Sequence, residues 1–232
     1  MTILRRMFPT LPPPPQRLLV FARVPERGRV KTRLAAEIGD DRALAVYEAM
    51  LQDVLDAMGS STRETEIEIC WAPTTAARRE TLARAFGDRV LAMQTGANLG
   101  DRLSMALSER FFFQRTQKII AIGVDDPLLD RAMIDHAFSL LDSCEWVLGP
   151  AADGGYYLIG CRGPAFDLSV FMDIDWGTDR VLSATIQKIR ASGHTLAMLP
   201  QRHDVDVAED LRRLAGADNR VGRLVRALEL RR

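Results

Sequence analysis

Short apolar runs alternating with amphipathic stretches predict an α/β fold, a three-layer α/β/α sandwich around a mostly parallel central sheet. Two runs carry most of that reading. Residues 18–22 (Leu-Leu-Val-Phe-Ala) form a buried first strand, and residues 118–127 form a second that ends abruptly on Asp125, Asp126 and Pro127. Between them the apolar spacing changes to a helical period, as strand-helix alternation requires.

The elements follow in order. Gly39 with Asp40 or Asp41 opens a helix whose Leu44, Tyr47, Leu51, Val54, Leu55 and Met58 share one face, and Gly59-Ser60-Ser61 ends it. Residues 66–71 alternate apolar and polar, as a half-buried strand does. Residues 73–86 read as a helix and 89–94 as a short strand. Residues 101–113 are predicted helical, with Leu103, Ala106, Leu107 and Phe111 inward. After Pro127 comes a helix with Ile134, Ala137, Phe138 and Leu141 on its inner face. Residues 145–149 and 156–160 read as strands flanking Asp153-Gly154-Gly155. Thr178 is a candidate cap for the next helix, 194–199 a further strand, and two short helices near 208–214 and 221–228 follow. The expected organisation is a proline-rich leader over residues 1–16, extended because Pro12 to Pro15 favour polyproline II, and one domain over 17–232.

Composition narrows the function. The 232 residues are 47% hydrophobic, enough for a proper core, and 31 basic residues balance 31 acidic ones. A nucleic-acid binder shows a basic bias, so none is expected as a partner. Three cysteines without CxxC spacing fit a reducing cytoplasm and argue against zinc, and no apolar run approaches the roughly 20 residues of a membrane span.

Acidic and basic motifs carry the chemistry. Ligands of open α/β sheets bind beyond the carboxyl ends of the strands. An aspartate there, Asp125 foremost, can hold a divalent cation and the cation a phosphate. Asp126 fits either that role or a helix cap. The loop after the first strand, from Arg27 and Gly28 to Lys31, Thr32 and Arg33, places cations where phosphates bind, although it lacks the spacing of a Walker A loop. Asp204 and Asp206, two apart on an extended chain, point the same way and repel unless a cation lies between them; a helix cap at Asp206 is the plain alternative. Asp153-Gly154-Gly155-Tyr156 is either a ligand-approaching turn or an ordinary hairpin. Asn98 and Gly100 enter a helix as a polar loop near a nucleobase or as a cap, and Trp176 either stacks on a ligand or packs. Acid for metal and base for phosphate together predict a metal-dependent enzyme acting on a nucleotide.

The ordered set residues 24–34, 98–103, 122–127, 149–160, 176–178 and 204–211 resembles the small bacterial glycosyltransferase-like family DUF2064, also labelled arsenosugar-biosynthesis-type glycosyltransferases, and more distantly the phospholactate and molybdenum-cofactor guanylyltransferases. The similarity covers about residues 18–215. It implies a GT-A (nucleotide-diphospho-sugar transferase) fold with Mg²⁺ or Mn²⁺ as cofactor. Arg27, Lys31 and Arg33 would meet phosphates, Asp125 would be the principal metal ligand, and Asp204 or Asp206 would complete the metal site. Asp153 would lie on the acceptor side, where it is the candidate general base. Val124, Asp126, Arg23 and Val207 depart from the family pattern. The leading expectation is transfer of a sugar from a nucleotide sugar to a small-molecule acceptor. The alternative is nucleotidyl transfer from an NTP with pyrophosphate release, and a third reading is a non-catalytic nucleotide-binding module. The acceptor and the oligomeric state are not encoded in any motif.

Overall fold

The structure is a computed structural model and describes residues 14–87 and 89–228. Among the described residues, seven strands form one sheet in the order β3-β2-β1-β4-β6-β5-β7. They are β1 (Gln16–Ala22), β2 (Thr65–Trp71), β3 (Val90–Met93), β4 (Lys118–Ile122), β5 (Trp146–Pro150), β6 (Tyr156–Arg162) and β7 (Leu196–Met198). Every pairing is parallel except those of β6, which runs antiparallel between β4 and β5. The strand order therefore reverses at β1, which pairs β2 on one side and β4 on the other, the position where doubly wound sheets open a crevice for ligands.

The helices are α1 (Thr32–Ile38), α2 (Asp40–Met58), α3 (Ala76–Ala85), α4 (Leu99–Ser108), α5 (Arg131–Leu140), α6 (Val181–Ala191), α7 (Ala208–Arg212) and α8 (Arg220–Ala227). Alternation along β1 explains the layers. Leu18, Val20 and Ala22 join Tyr47, Leu51, Leu55, Ile134 and Phe138 in a core under α2 and α5. Leu19 faces the other way, into a second core with Leu103, Leu107, Trp146 and Ile189 from the α4 and α6 side. A third core joins Leu34 of α1 and Val46 and Met50 of α2 to Val205, Leu211, Val221 and Val225. That third core seats the chain after β7 beside α1, so two segments more than 170 residues apart in sequence meet.

Several expectations need correction. Residues 66–71 were expected to be half-buried, but all of β2 is buried. Glu66 and Glu68 point into the α4 side and are neutralised there: Glu66 pairs with Arg17, and Glu68 receives Arg110 Nη2 at 2.5 Å and Arg110 Nε at 3.1 Å. The helix expected over 101–113 ends as a π-helical turn, Glu109–Phe113, which carries Arg110 to that pair. The helix after Trp176 begins at Val181 with Arg180 as its cap; Thr178 instead donates to the Asp175 carbonyl at 2.8 Å. The proline-rich leader lies outside the described residues up to residue 13. At its end, the Pro15 carbonyl accepts from Gln117 and Lys118, and Gln16 already belongs to β1. No helix among the described residues is long and apolar enough to cross a membrane.

Candidate functional site

A cleft of about 690 Å³ opens at the carboxyl ends of β1, β2 and β4. The ends of these strands line it. Gln94, buried after β3, ties two of them together by donating to the Cys70 carbonyl at 2.7 Å and the Ala22 carbonyl at 3.3 Å. Tyr47 of α2 clamps the residue after β1: its hydroxyl accepts from Arg23 N–H at 2.8 Å and donates to the Arg23 carbonyl at 3.0 Å. The Arg23 backbone is thereby fixed at the cleft wall, and its side chain is exposed there.

Lys31 is the centre of the charge arrangement. It sits at the start of α1 with φ 46° and ψ 47°, a left-handed conformation that costs a non-glycine residue roughly 1–2 kcal/mol. Its side chain is only 5% exposed, and its ammonium lies between two carboxylates, ion-paired with Asp125 and 3.3 Å from Asp206 Oδ1. Burial alone would lower the ammonium's pKa, but Asp125 and then Asp206 outweigh it and hold it above its usual value. Arg33 reaches the other Asp206 oxygen at 3.2 Å and is 70% exposed. The backbone locks the two acidic segments together, because Val205 N–H donates to the Asp125 carbonyl at 2.9 Å.

Asp204 stands beside this group. Burial, and then the negative fields of Asp125 and Asp153, push its carboxyl up to about 7 against the opposing pull of Lys31; Asp206 adds to the rise. The charges of Asp125, Asp153 and Asp206 thus all reach Asp204, with Lys31 opposing them. No three His, Cys, Asp or Glu side chains among the described residues converge as a ready metal cage. The donor set still suits a divalent ion: Mg²⁺ takes one or two carboxylates plus phosphate oxygens and waters, and Asp125 and Asp206 stand close enough together to share one ammonium.

The other sequence candidates separate into those at the cleft and those elsewhere. Asp125, Asp206, Lys31, Arg33, Asn98, Tyr156 and Trp176 line it. Asp126 does not. It is buried, pairs with the Arg202 guanidinium and accepts Leu128 N–H at 3.0 Å, so its role is to fasten the chain before Asp204 to the end of β4. Arg27 also turns away, to Asp41 at 2.6 Å and Asp40 at 3.6 Å at the start of α2, and Gly28 serves that turn with φ 71°. Asn98 caps α4, accepting Asp101 N–H at 2.9 Å.

Gly100 has a reason other than ligand approach. A Cβ there would lie 2.4 Å from the Trp176 indole, so the glycine makes room for the tryptophan, which also meets Tyr156 edge-on at 6.4 Å. Gly154 (φ 90°) likewise admits the Asp179 backbone, which a Cβ would meet at 2.1 Å. Asp153 is exposed and its Oδ1 accepts Gly155 N–H at 2.8 Å, an arrangement that closes the turn. Asp206 is not a cap; Asp210 accepts the Asp206 and Val207 N–H groups, each at 3.1 Å.

Sequence reasoning overlooked Arg23, Arg102 and Gln94 as cleft residues. Arg23 directly follows β1, and the rule that singled out Asp125 beyond β4 applies to it equally. Arg102 follows the Asn98 loop by one helical turn and donates to the Gly96 carbonyl at 3.2 Å.

A family profile described as "Uncharacterized protein conserved in bacteria (DUF2064)" matches residues 55–178, more than half of the chain. The chain belongs to DUF2064. Among solved structures, this DUF2064 member superposes on a protein from Desulfovibrio desulfuricans G20 provisionally designated a nucleotide-diphospho-sugar transferase. The two are 31% identical, the match covers 93% of this chain and 96% of that one, and the TM-score is 0.87. A cytidylyltransferase from Leptospira borgpetersenii serovar Hardjo-bovis (strain JB197) shares the fold alone, at 13% identity and a TM-score of 0.55 over 93% and 94% of the two chains. A 3-phospho-D-glycerate guanylyltransferase from Phenylobacterium zucineum (strain HLK1) is 33% identical over 133 residues, which are 57% of this chain and 61% of that protein. The match thus spans about three fifths of that curated relative. The fold is that of nucleotide-diphospho-sugar transferases and nucleotidyltransferases, and the relatives are transferases.

Proposed function

We propose that this protein is a nucleotidyltransferase that joins the nucleoside monophosphate of an NTP to a phosphorylated small molecule and releases pyrophosphate. The observation that carries the reading is the charge of the cleft wall. Four cations, Arg23, Lys31, Arg33 and Arg102, line the same cleft as two carboxylates, Asp125 and Asp206, so the wall is net positive and favours the more highly charged triphosphate. Resemblance to the 3-phospho-D-glycerate guanylyltransferase supports the same choice and puts GTP first among donors and a phosphorylated hydroxy acid first among acceptors.

The chemistry asks little of the protein beyond position and charge. An oxygen of the acceptor's phosphate attacks the α-phosphorus, the bond from that phosphorus to the bridging oxygen breaks, and pyrophosphate leaves with the bonding electrons. The attacking oxygen is already anionic, so no side chain must remove a proton. That agrees with Asp153, whose carboxylate is committed to a turn. Arg23, Arg33 and Arg102 neutralise charge gathering on the leaving group. A divalent cation, when bound, neutralises phosphate oxygens. Asp125 and Asp206 are the residues that would hold it, with Asp204 beside them.

A second reading is sugar transfer from a nucleoside diphosphate sugar, favoured by the near full-length match to the Desulfovibrio protein. Incubation of the protein and Mg²⁺ with each NTP and a panel of phosphorylated hydroxy acids, including 3-phosphoglycerate, separates the two. Stoichiometric pyrophosphate release that depends on the acceptor supports nucleotidyl transfer. Absence of pyrophosphate from every pair, with sugar transfer from a nucleotide sugar instead, overturns it.

A further inference from the structure

Lys31 occupies the place that the preceding reading gives to a divalent cation. Its ammonium is paired with Asp125 and 3.3 Å from Asp206, and its side chain is almost wholly buried. An ammonium cannot share two carboxylates with a second cation at that distance without strong repulsion. The Lys31 backbone just before α1 lies in the left-handed region, an uncommon conformation for a non-glycine residue that fixes where its side chain leaves the chain. The same side chain lines the cleft where phosphates would lie.

We infer that Lys31 is an internal counter-ion that keeps the metal site shut until a nucleotide arrives, the juxtaposition of its ammonium with Asp125 and Asp206 being the lock. The inference rests on the metal reading of those two carboxylates. Incoming phosphates give the ammonium a second set of anionic partners. Once it turns to them, Asp125 and Asp206 are free to accept a divalent ion. Nucleotide and metal then bind with positive coupling beyond their affinity for each other in solution, because each removes the obstacle to the other. Arg33 is too exposed to serve as the lock, since water screens its contact with Asp206.

The test is Mn²⁺ binding to the nucleotide-free protein, followed by electron paramagnetic resonance of free Mn²⁺ and, independently, by the rise in melting temperature on adding Mn²⁺. The wild type should bind Mn²⁺ weakly alone and tightly with an NTP. Lys31→Met should bind Mn²⁺ alone at least about tenfold more tightly than the wild type, because a competing charge has left a partly buried site. Lys31→Arg, which keeps the charge, should stay near the wild type. Should Lys31→Met unfold without metal, recovery of its melting transition by Mn²⁺ at concentrations that leave the wild type unchanged supports the lock equally. If the wild type takes up Mn²⁺ with NTP but nucleotide-free Lys31→Met binds Mn²⁺ no more tightly than the nucleotide-free wild type, the lock is overturned while the metal reading stands. Failure of every variant to bind Mn²⁺, with or without NTP, overturns both.

Discussion

Each end of the sheet carries a cluster of opposite charges, and the two are built on different plans. At the amino ends of the strands, Arg17, Glu66, Glu68 and Arg110 are all buried, and Arg17 adds a hydrogen bond to Thr116 at 2.9 Å. In the group of Lys31, Asp125, Asp206 and Arg33 at the carboxyl ends, the Lys31 side chain is buried but Asp125 is 48% exposed, Asp206 37% and Arg33 70%. The first cluster faces packed side chains and the second faces a cleft. A buried charge must be matched inside the protein, whereas a half-open one can exchange its partner for a ligand. Burial, more than charge, separates the structural network from the candidate site.

The largest effect expected from breaking this contrast is on stability. Glu68→Ala removes the buried carboxylate that Arg110 and Arg17 share and leaves Arg110 to the partly exposed Glu109 and the Ala106 carbonyl, so denaturant unfolding should show a loss of about 3–5 kcal/mol. The matching change at the open end, Asp125→Asn, should leave the fold intact because Asp206 still faces Lys31, yet lower turnover by about 100-fold or more. A stability loss like that of Glu68→Ala, with unchanged turnover per folded molecule, would make the two clusters equivalent.

Smaller effects sharpen the comparison. Gly100→Ala should cost about 1–3 kcal/mol as the new methyl displaces the Trp176 indole, with weaker nucleotide binding by calorimetry. Asp153→Asn should change turnover only a few-fold, because a phosphate nucleophile needs no base. A loss of about 10²–10⁴-fold, the usual range for a general base, would favour a hydroxyl acceptor and the sugar-transfer reading.

What could be read in the sequence divides along the same line. The strand alternation of β1 and the helical face of α2 are local patterns, and the structure follows them. The strand ends at Ala22 and Ile122 are local too, so Lys31, Arg33 and Asp125 could be placed near one another from the rule about carboxyl ends. Partners distant in sequence are not local. Glu66 and Glu68 looked solvent-facing because Arg110, which buries Glu68, is 42 residues away. Asp126 resembled a metal ligand because Arg202 is 76 residues away, and Gly100 resembled a ligand contact because Trp176 fills its missing Cβ. Arg27 belongs to the same loop as Lys31, but the register of the α1 turn sends it to Asp40 and Asp41.

Equilibrium binding of nucleoside triphosphates and nucleoside diphosphate sugars, with and without Mn²⁺, tests the central claim most directly. A cleft walled by Arg23, Lys31, Arg33 and Arg102 should bind one triphosphate more tightly than any diphosphate sugar, and Mn²⁺ should strengthen that binding. Tighter binding of a diphosphate sugar than of every triphosphate would contradict the account.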